Sequence, residues 1–200
     1  MIRIENLGFS YGKVPVLKNI TMNLEAGKIY GLLGENGVGK TTLLTLLCGL
    51  KKTTEGSITV DGIDPYSRKP ELLSKQFYLA DEMLTMPIKA ADYAKMTGEF
   101  WPDYSQERFL EIMELFENDH QKKLNAMSTG QLKKTYISLA LSLGCKYLYL
   151  DEPTNGLDIP SKAQFRSALM KYTSEDSTII ISTHQVRDLE NIIDPIIILD

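Results

Sequence analysis

The sequence predicts an α/β fold with a mostly parallel sheet core and helices on both faces. Three observations carry that expectation. Strand-type and helix-type segments alternate along the last third of the chain, the order of parallel strands joined by crossover helices. The runs Ile179-Ile180-Ile181 and Ile196-Ile197-Ile198 are apolar at every position, as in strands buried on both faces. The short apolar run at residues 29–33 ends in a glycine-rich turn that opens directly into a helical pattern.

Taken from the start, residues 2–6 alternate apolar and polar, the half-buried strand pattern, and residues 14–24 alternate again. After the strand at 29–33, a helix begins at Lys40 with Leu43, Leu44 and Leu47 on one face. A strand at 57–60 is stopped by the turn dipeptide Asp61-Gly62, and 77–79 is a further short strand. The middle is helical, at 88–96 and 105–116, with Trp101-Pro102-Asp103 between the two helices. Phe109, Ile112, Met113 and Phe116 fall at i, i+3, i+4 and i+7 and form one core-facing stripe. A helix at 131–143, a strand at 147–150, a helix at 161–172 and strands at 178–182 and 196–199 complete the chain, the last strand following Pro195. The helical middle reads as an insert in the α/β frame. No internal repeat, low-complexity tract or linker interrupts it.

Composition sets outer bounds. Two hundred residues, 43% hydrophobic and 24% charged, suffice for one folded domain without metal or disulfide support. The net charge is −4, and lysines come as separate pairs, Lys51-Lys52, Lys122-Lys123 and Lys133-Lys134, read as solvated faces. With no basic stripe, nucleic acid is not an expected partner. Cys48 and Cys145 lie outside any C-x-x-C pattern and read as small buried residues of a reduced chain. Charges at Arg3 and Glu5 do not fit a signal peptide. The longest apolar-rich stretch, 43–50, falls short of the roughly 20 residues of a spanning helix. Work at a membrane would therefore need a partner that holds the chain there.

Gly34-Glu35-Asn36-Gly37-Val38-Gly39-Lys40-Thr41-Thr42 fits G-x-x-x-x-G-K-[ST] between a strand and a helix. Glycines let backbone N–H groups converge on phosphate oxygens, and the helix N-terminus adds partial positive charge. On this reading Gly34, Asn36, Gly37, Gly39, Lys40, Thr41 and Thr42 bind a nucleotide, with Lys40 reaching the β- and γ-phosphates. The Thr41 hydroxyl is a candidate Mg²⁺ ligand. The strand at 147–150 runs into Asp151-Glu152. In a phosphate-loop enzyme such acids face the nucleotide crevice. Asp151 would hold Mg²⁺ through water, and Glu152 would act as general base on the attacking water.

Two further pieces have no meaning for a lone site. Met127-Ser128-Thr129-Gly130-Gln131 precedes a long helix, and Thr183-His184 closes the strand at 178–182. With Asp151-Glu152-Pro153-Thr154-Asn155-Gly156-Leu157-Asp158, these resemble the ATP-binding cassette (ABC) family in order and spacing over nearly the whole chain. The resemblance implies a P-loop NTPase of ABC type with an N-terminal antiparallel β subdomain and an inserted α-helical subdomain. It implies a single domain at 1–200, with 1–80 and 145–200 forming the nucleotide-binding lobe and 81–144 the helical lobe. It also implies that Tyr11 stacks on adenine. Ser128, Gly130 and Gln131 would bind the γ-phosphate of ATP held by a second subunit. Asp158 would couple the two sites, and His184 would contact the γ-phosphate and position the attacking water. The implied function is ATP hydrolysis, with ATP and Mg²⁺, by a homo- or heterodimer that drives a separate integral membrane permease from the cytoplasmic face.

The chain departs from the family pattern at two places. Thr129 stands where a second glycine is usual, and Asp81-Glu82 follows the strand at 77–79 where glutamine is common, with Gln76 before that strand. Asp81 is therefore a further candidate metal ligand. These acids, and Phe100-Trp101-Pro102-Asp103, resemble a bacterial exporter-type branch. The family usually continues past a strand such as 196–199, so a C-terminal truncation at Asp200 is one expectation and a short member the other. A soluble cassette ATPase, for example of the iron–sulfur assembly type, is the alternative. A phosphate-loop kinase would lack the signature, and a GTPase would need an N-K-x-D that is not found.

Overall fold

The computed structural model describes residues 1–185, 192, 193 and 195–200. In chain order the strands are β1 (Ile2–Tyr11), β2 (Val14–Leu24), β3 (Ile29–Leu33), β4 (Glu55–Val60), β5 (Gln76–Leu79), β6 (Tyr147–Asp151), β7 (Thr178–Thr183) and β8 (Ile196–Ile198). The helices described are α1 (Lys40–Leu47), α2 (Pro70–Leu73), α3 (Ala90–Gly98), α4 (Gln106–Leu115), α5 (Thr129–Ser142) and α6 (Ile159–Tyr172). Two sheets result. One is antiparallel, in the order β2-β1-β4, and the other runs β5-β6-β7-β3-β8 with every described pairing parallel. The hairpin between β1 and β2 turns at Gly12-Lys13, where Gly12 has φ 60°, a backbone that glycine adopts without cost.

Alternation along the central strands shows why their middle positions are apolar on both faces. Tyr147 and Tyr149 of β6 and Ile180 of β7 pack with Leu43, Leu44 and Leu47 of α1 and with the antiparallel sheet. Their neighbours Leu148, Leu150, Ile179 and Ile181 pack on the other face, against Ile137 and Ala140 of α5 and Phe165 of α6. Period two along a strand sends successive side chains to opposite faces, so a sheet covered on both sides leaves polar side chains to the strand ends, where Asp151, Thr178, Ser182 and Thr183 lie.

The two isoleucine runs diverge here. β7 is buried along its whole length, as expected. β8 is the outer strand beside β3, and its Ile196 and Ile198 are 52% and 70% exposed. The expectation of burial on both faces is corrected there. An edge strand has one hydrogen-bonded neighbour, and nothing among the described residues covers its outer side. Gln76, expected before its strand, is the first residue of β5, with its side-chain amide donating to the carbonyl of Cys48 at 3.0 Å.

The stripe of α4 is buried as its spacing predicts. Ser105 caps the helix, its hydroxyl accepting from Arg108 N at 3.1 Å, and Phe109, Ile112, Met113 and Phe116 all reach 0% exposure. Phe109→Ala should cost about 3–5 kcal/mol of unfolding free energy, measured by urea denaturation; a loss under about 1 kcal/mol would show that the site collapses around the deletion. Cys48 and Cys145 are buried free thiols, and burial pushes the Cys48 thiol up to about 11.

Four of the parallel strands, β5, β6, β7 and β3, lie side by side in that order. Being parallel, they end on the same edge of the sheet, where each releases the chain into a loop. That edge carries the site.

Candidate active site

The loop after β3 closes tightly on α1. Gly39, which precedes α1, has φ 110°, and a Cβ there would stand 2.7 Å from Leu17 Cδ2 and 3.0 Å from Val16 Cγ1. Backbone and packing therefore both require glycine. Lys40 is 6% exposed, and its ammonium donates to the carbonyls of Gly34 at 2.8 Å and Glu35 at 3.1 Å. It also stands 3.7 Å from Glu152 Oε1.

Asp151, the last residue of β6, is 2% exposed. A carboxylate so buried needs donors. Three hydroxyls supply them: Ser182 Oγ donates to Oδ1 at 2.5 Å, while Thr41 Oγ1 at 2.7 Å and Tyr78 OH at 3.1 Å donate to Oδ2. They come from β7, α1 and β5, so three elements converge on one side chain. Burial, and after it the charge of Asp151, raises the Tyr78 phenol well above its ordinary range and keeps it a donor.

Glu152 follows with φ 45°, a left-handed backbone uncommon for a residue with a Cβ. Its N–H donates to the Ser182 carbonyl at 3.2 Å and the Ser182 hydroxyl at 2.9 Å. Its carboxylate Oε2 lies 3.0 Å from His184 Nδ1, and His184 Nε2 lies 3.0 Å from Gln185 Nε2. A carboxylate only accepts, so Nδ1 carries the proton shared with Glu152.

These groups border one cleft of about 410 Å³. It brings together Tyr11, Asn36, Gly37, Gly39, Lys40, Thr41, Thr42, Asp81, Asp151, Glu152 and His184. Tyr11 stands at the rim, 48% exposed, with its hydroxyl 3.3 Å from Thr42 Oγ1 and the Lys51 ammonium 4.9 Å from its ring centre. Gly34 contributes through its carbonyl bond to Lys40. Ser128, Gly130, Gln131 and Asp158 do not line this cleft. Ser128 and Gln131 instead form a reciprocal cap at the start of α5, Ser128 N donating to Gln131 Oε1 at 3.1 Å and Gln131 N to Ser128 Oγ at 3.3 Å. Asp158 caps α6, accepting from Ser161 N at 2.9 Å; the Ser161 hydroxyl, and after it this backbone bond, hold its carboxyl below the usual range. Thr129, in the place of a glycine, is the first residue of α5 and exposed, where helical backbone accepts a Cβ.

Sequence reasoning missed Ser182, Tyr78, Gln185 and Lys133. Ser182 and Tyr78 belong to strands whose polar members carried no motif. The expectation that Lys133 belongs to a solvated pair is corrected: it is 3% exposed, and its ammonium donates to Asp81 Oδ1 at 2.7 Å and to the Glu152 carbonyl at 3.1 Å. The helical turn points it inward, where these acceptors replace water. Asp81, expected as a metal ligand, lines the cleft while its Oδ1 bonds Lys133.

Neighbouring parallel strands that hand their loops to one phosphate-binding crevice place the molecule among the P-loop ATPases. More narrowly, the chain belongs to the ABC transporter family, which matches residues 17–155. It is an ATP-binding cassette ATPase. Among its relatives is the lantibiotic transport ATP-binding protein SrtF of Streptococcus pyogenes, 33% identical over 97% of this chain and 84% of that protein. ABC transporter ATP-binding protein YtrB of Bacillus subtilis is 28% identical over 95% of this chain and 65% of its own length. The fold matches the ATP-binding cassette MJ0796, solved as a dimer bound to ADP and Pi, with TM-score 0.85, 24% identity and coverage of 100% of this chain and 94% of that one. Among the described residues no helix is long and apolar enough to cross a membrane.

Proposed function

We propose that two copies of such a cassette close head to tail around ATP and drive a separate membrane permease from the cytoplasmic face. The observation that carries this is the separation of the site residues. Lys40, Asp151, Glu152 and His184 share one cleft, whereas Ser128 and Gly130 stand apart from it. Gly130 has no left-handed backbone, and a Cβ added to it would meet nothing closer than the Gly156 carbonyl at 3.8 Å. Nothing among the described residues requires glycine there. Room for a ligand held by a second chain gives it a reason, and the N-terminus of the 14-residue helix α5 suits an anion.

The roles follow. The loop from Gly34 to Thr42, with Asn36, Gly37, Gly39 and Lys40, holds the phosphates, and Tyr11 stacks on adenine. Thr41 Oγ1 and Asp151 Oδ2, 2.7 Å apart, are hard oxygen donors that fit Mg²⁺. When bound, Mg²⁺ would neutralise phosphate charge. Glu152 takes the proton of the attacking water, and His184 orients its carboxylate through Oε2. Ser128, Gly130 and Gln131 complete the site of the opposite copy, and Asp158 lies near the contact between copies. Residues 1–80 with 145–200 act as one lobe and 81–144 as the other, with the permease docking near 81–90. The lantibiotic transport relative supports a permease of a transport system as the partner.

Complementation tests the composite site. Lys40→Ala removes the phosphate loop of one site, and Ser128→Arg blocks the signature of the other; each variant alone should be inactive. Mixed one to one, about a quarter of wild-type ATPase should return, because half the pairs are mixed and each mixed pair keeps one complete site. A mixture as inactive as its components would place all catalytic groups in one chain.

A further inference from the structure

Lys133 is read from the sequence as a solvated lysine, yet its side chain is 4% exposed. An ammonium carries three hydrogens and leaves water at high cost unless acceptors and a countercharge meet it. It meets three acceptors: Asp81 Oδ1 at 2.7 Å, the Asp81 carbonyl at 3.4 Å and the Glu152 carbonyl at 3.1 Å. The third is the backbone of the residue assigned above as general base.

That backbone needs support. Glu152 has φ 45°, a conformation disfavoured for any residue with a Cβ, which persists only where its surroundings hold it. One side of the residue is held by Ser182, whose hydroxyl and carbonyl both accept from Glu152 N–H. The other side is held by Lys133, which belongs to a different layer of the molecule. It lies four residues after Thr129, one turn into α5, on the helix whose start carries Ser128 and Gly130.

We propose that Lys133 is a positioning residue for hydrolysis, fixing the Glu152 backbone so that its carboxylate is presented to the cleft beside Lys40 and His184. Because Lys133 rides on α5, it ties the aim of the base to the placement of the helix start that meets the other copy's ATP. A shift of α5 against the sheet withdraws the ammonium and frees the strained loop. Asp81 supplies the countercharge that keeps the ammonium buried. This inference rests on Glu152 being the general base.

The test uses Lys133→Met, Lys133→Gln, Glu152→Gln and the Lys133→Met/Glu152→Gln double variant in the full chain, with steady-state ATPase and binding of a fluorescent ATP analogue as readouts. Lys133→Met should lower kcat about 10- to 100-fold, the worth of one hydrogen bond to a charged group, with KM for ATP within about twofold. Lys133→Gln, whose amide can still donate to the Glu152 carbonyl, should lose less. With Glu152→Gln already present, Lys133→Met should lower the rate no further, since the group it positions has gone. A general structural role predicts additive losses in the double variant, and that result overturns the inference. So does wild-type kcat in Lys133→Met, or a loss confined to KM. Should Lys133→Met fail to fold, the same split between kcat and KM in Lys133→Gln decides. Full turnover in Glu152→Gln would overturn the assignment of the base and this inference with it. Lost turnover there, beside full turnover in Lys133→Met, overturns the inference alone.

Discussion

Replacing Glu152 with glutamine is expected to slow ATP hydrolysis about 10²–10⁴-fold, the usual worth of a general base, or roughly 2.7–5.5 kcal/mol of barrier. Geometry should barely change. Glutamine has the same shape, and its Oε1 can still accept the proton on His184 Nδ1, which now lies 3.0 Å from Glu152 Oε2. What disappears is the negative charge able to take a proton from water. ATP binding should survive and even tighten, because a carboxylate facing the phosphates repels them. With hydrolysis blocked and ATP held, a closed dimer should accumulate. Gel filtration with ATP, alongside phosphate release, reads both effects. Unchanged turnover together with a monomer at every ATP concentration would refute the role given to Glu152.

Lys40→Ala should remove nucleotide binding itself. The ammonium is almost fully buried and bonded to the Gly34 and Glu35 carbonyls, so it shapes the loop as well as charging it. Truncating one partner of a buried charge pair costs about 2–5 kcal/mol, which is roughly 30- to 5,000-fold in Kd. A second consequence follows from the 3.7 Å between Lys40 Nζ and Glu152 Oε1: without the cation, the Glu152 carboxylate loses the ammonium that faces it in the cleft. Calorimetry with ATP measures the effect, and circular dichroism checks that α1 persists. Retained ATP affinity in a folded variant would sink the phosphate-loop assignment.

The two variants separate binding from chemistry, and they rest on features of different legibility. Lys40 was plain in the sequence because its loop is local. The same holds for the α4 stripe, where Phe109, Ile112, Met113 and Phe116 are buried together as their spacing dictates. The acids after β6 were legible as candidates, because a carboxylate closing an apolar strand stands out. Less was visible of what holds them. Ser182 and Tyr78 are ordinary members of apolar strands, and their bonds to Asp151 exist because β5, β6 and β7 lie side by side. The isoleucines of β8 misled for the same reason: composition does not say whether a strand is central or at an edge.

By itself, then, the sequence determined the phosphate loop, the helical stripe, the alternation of strands with helices and the family to which these belong. The loop, the stripe and the single strands are patterns within one turn or one strand, and the family shows in the order of such local motifs along the chain. Only the tertiary structure decided that Lys133 is buried, that it grips the Glu152 backbone, and that Ser182 and Tyr78 hold Asp151. Those facts depend on strand order and on how α5 sits against the sheet. Contacts between residues far apart in the chain leave no periodic trace in it, since the free energy that selects them comes from packing of the whole core.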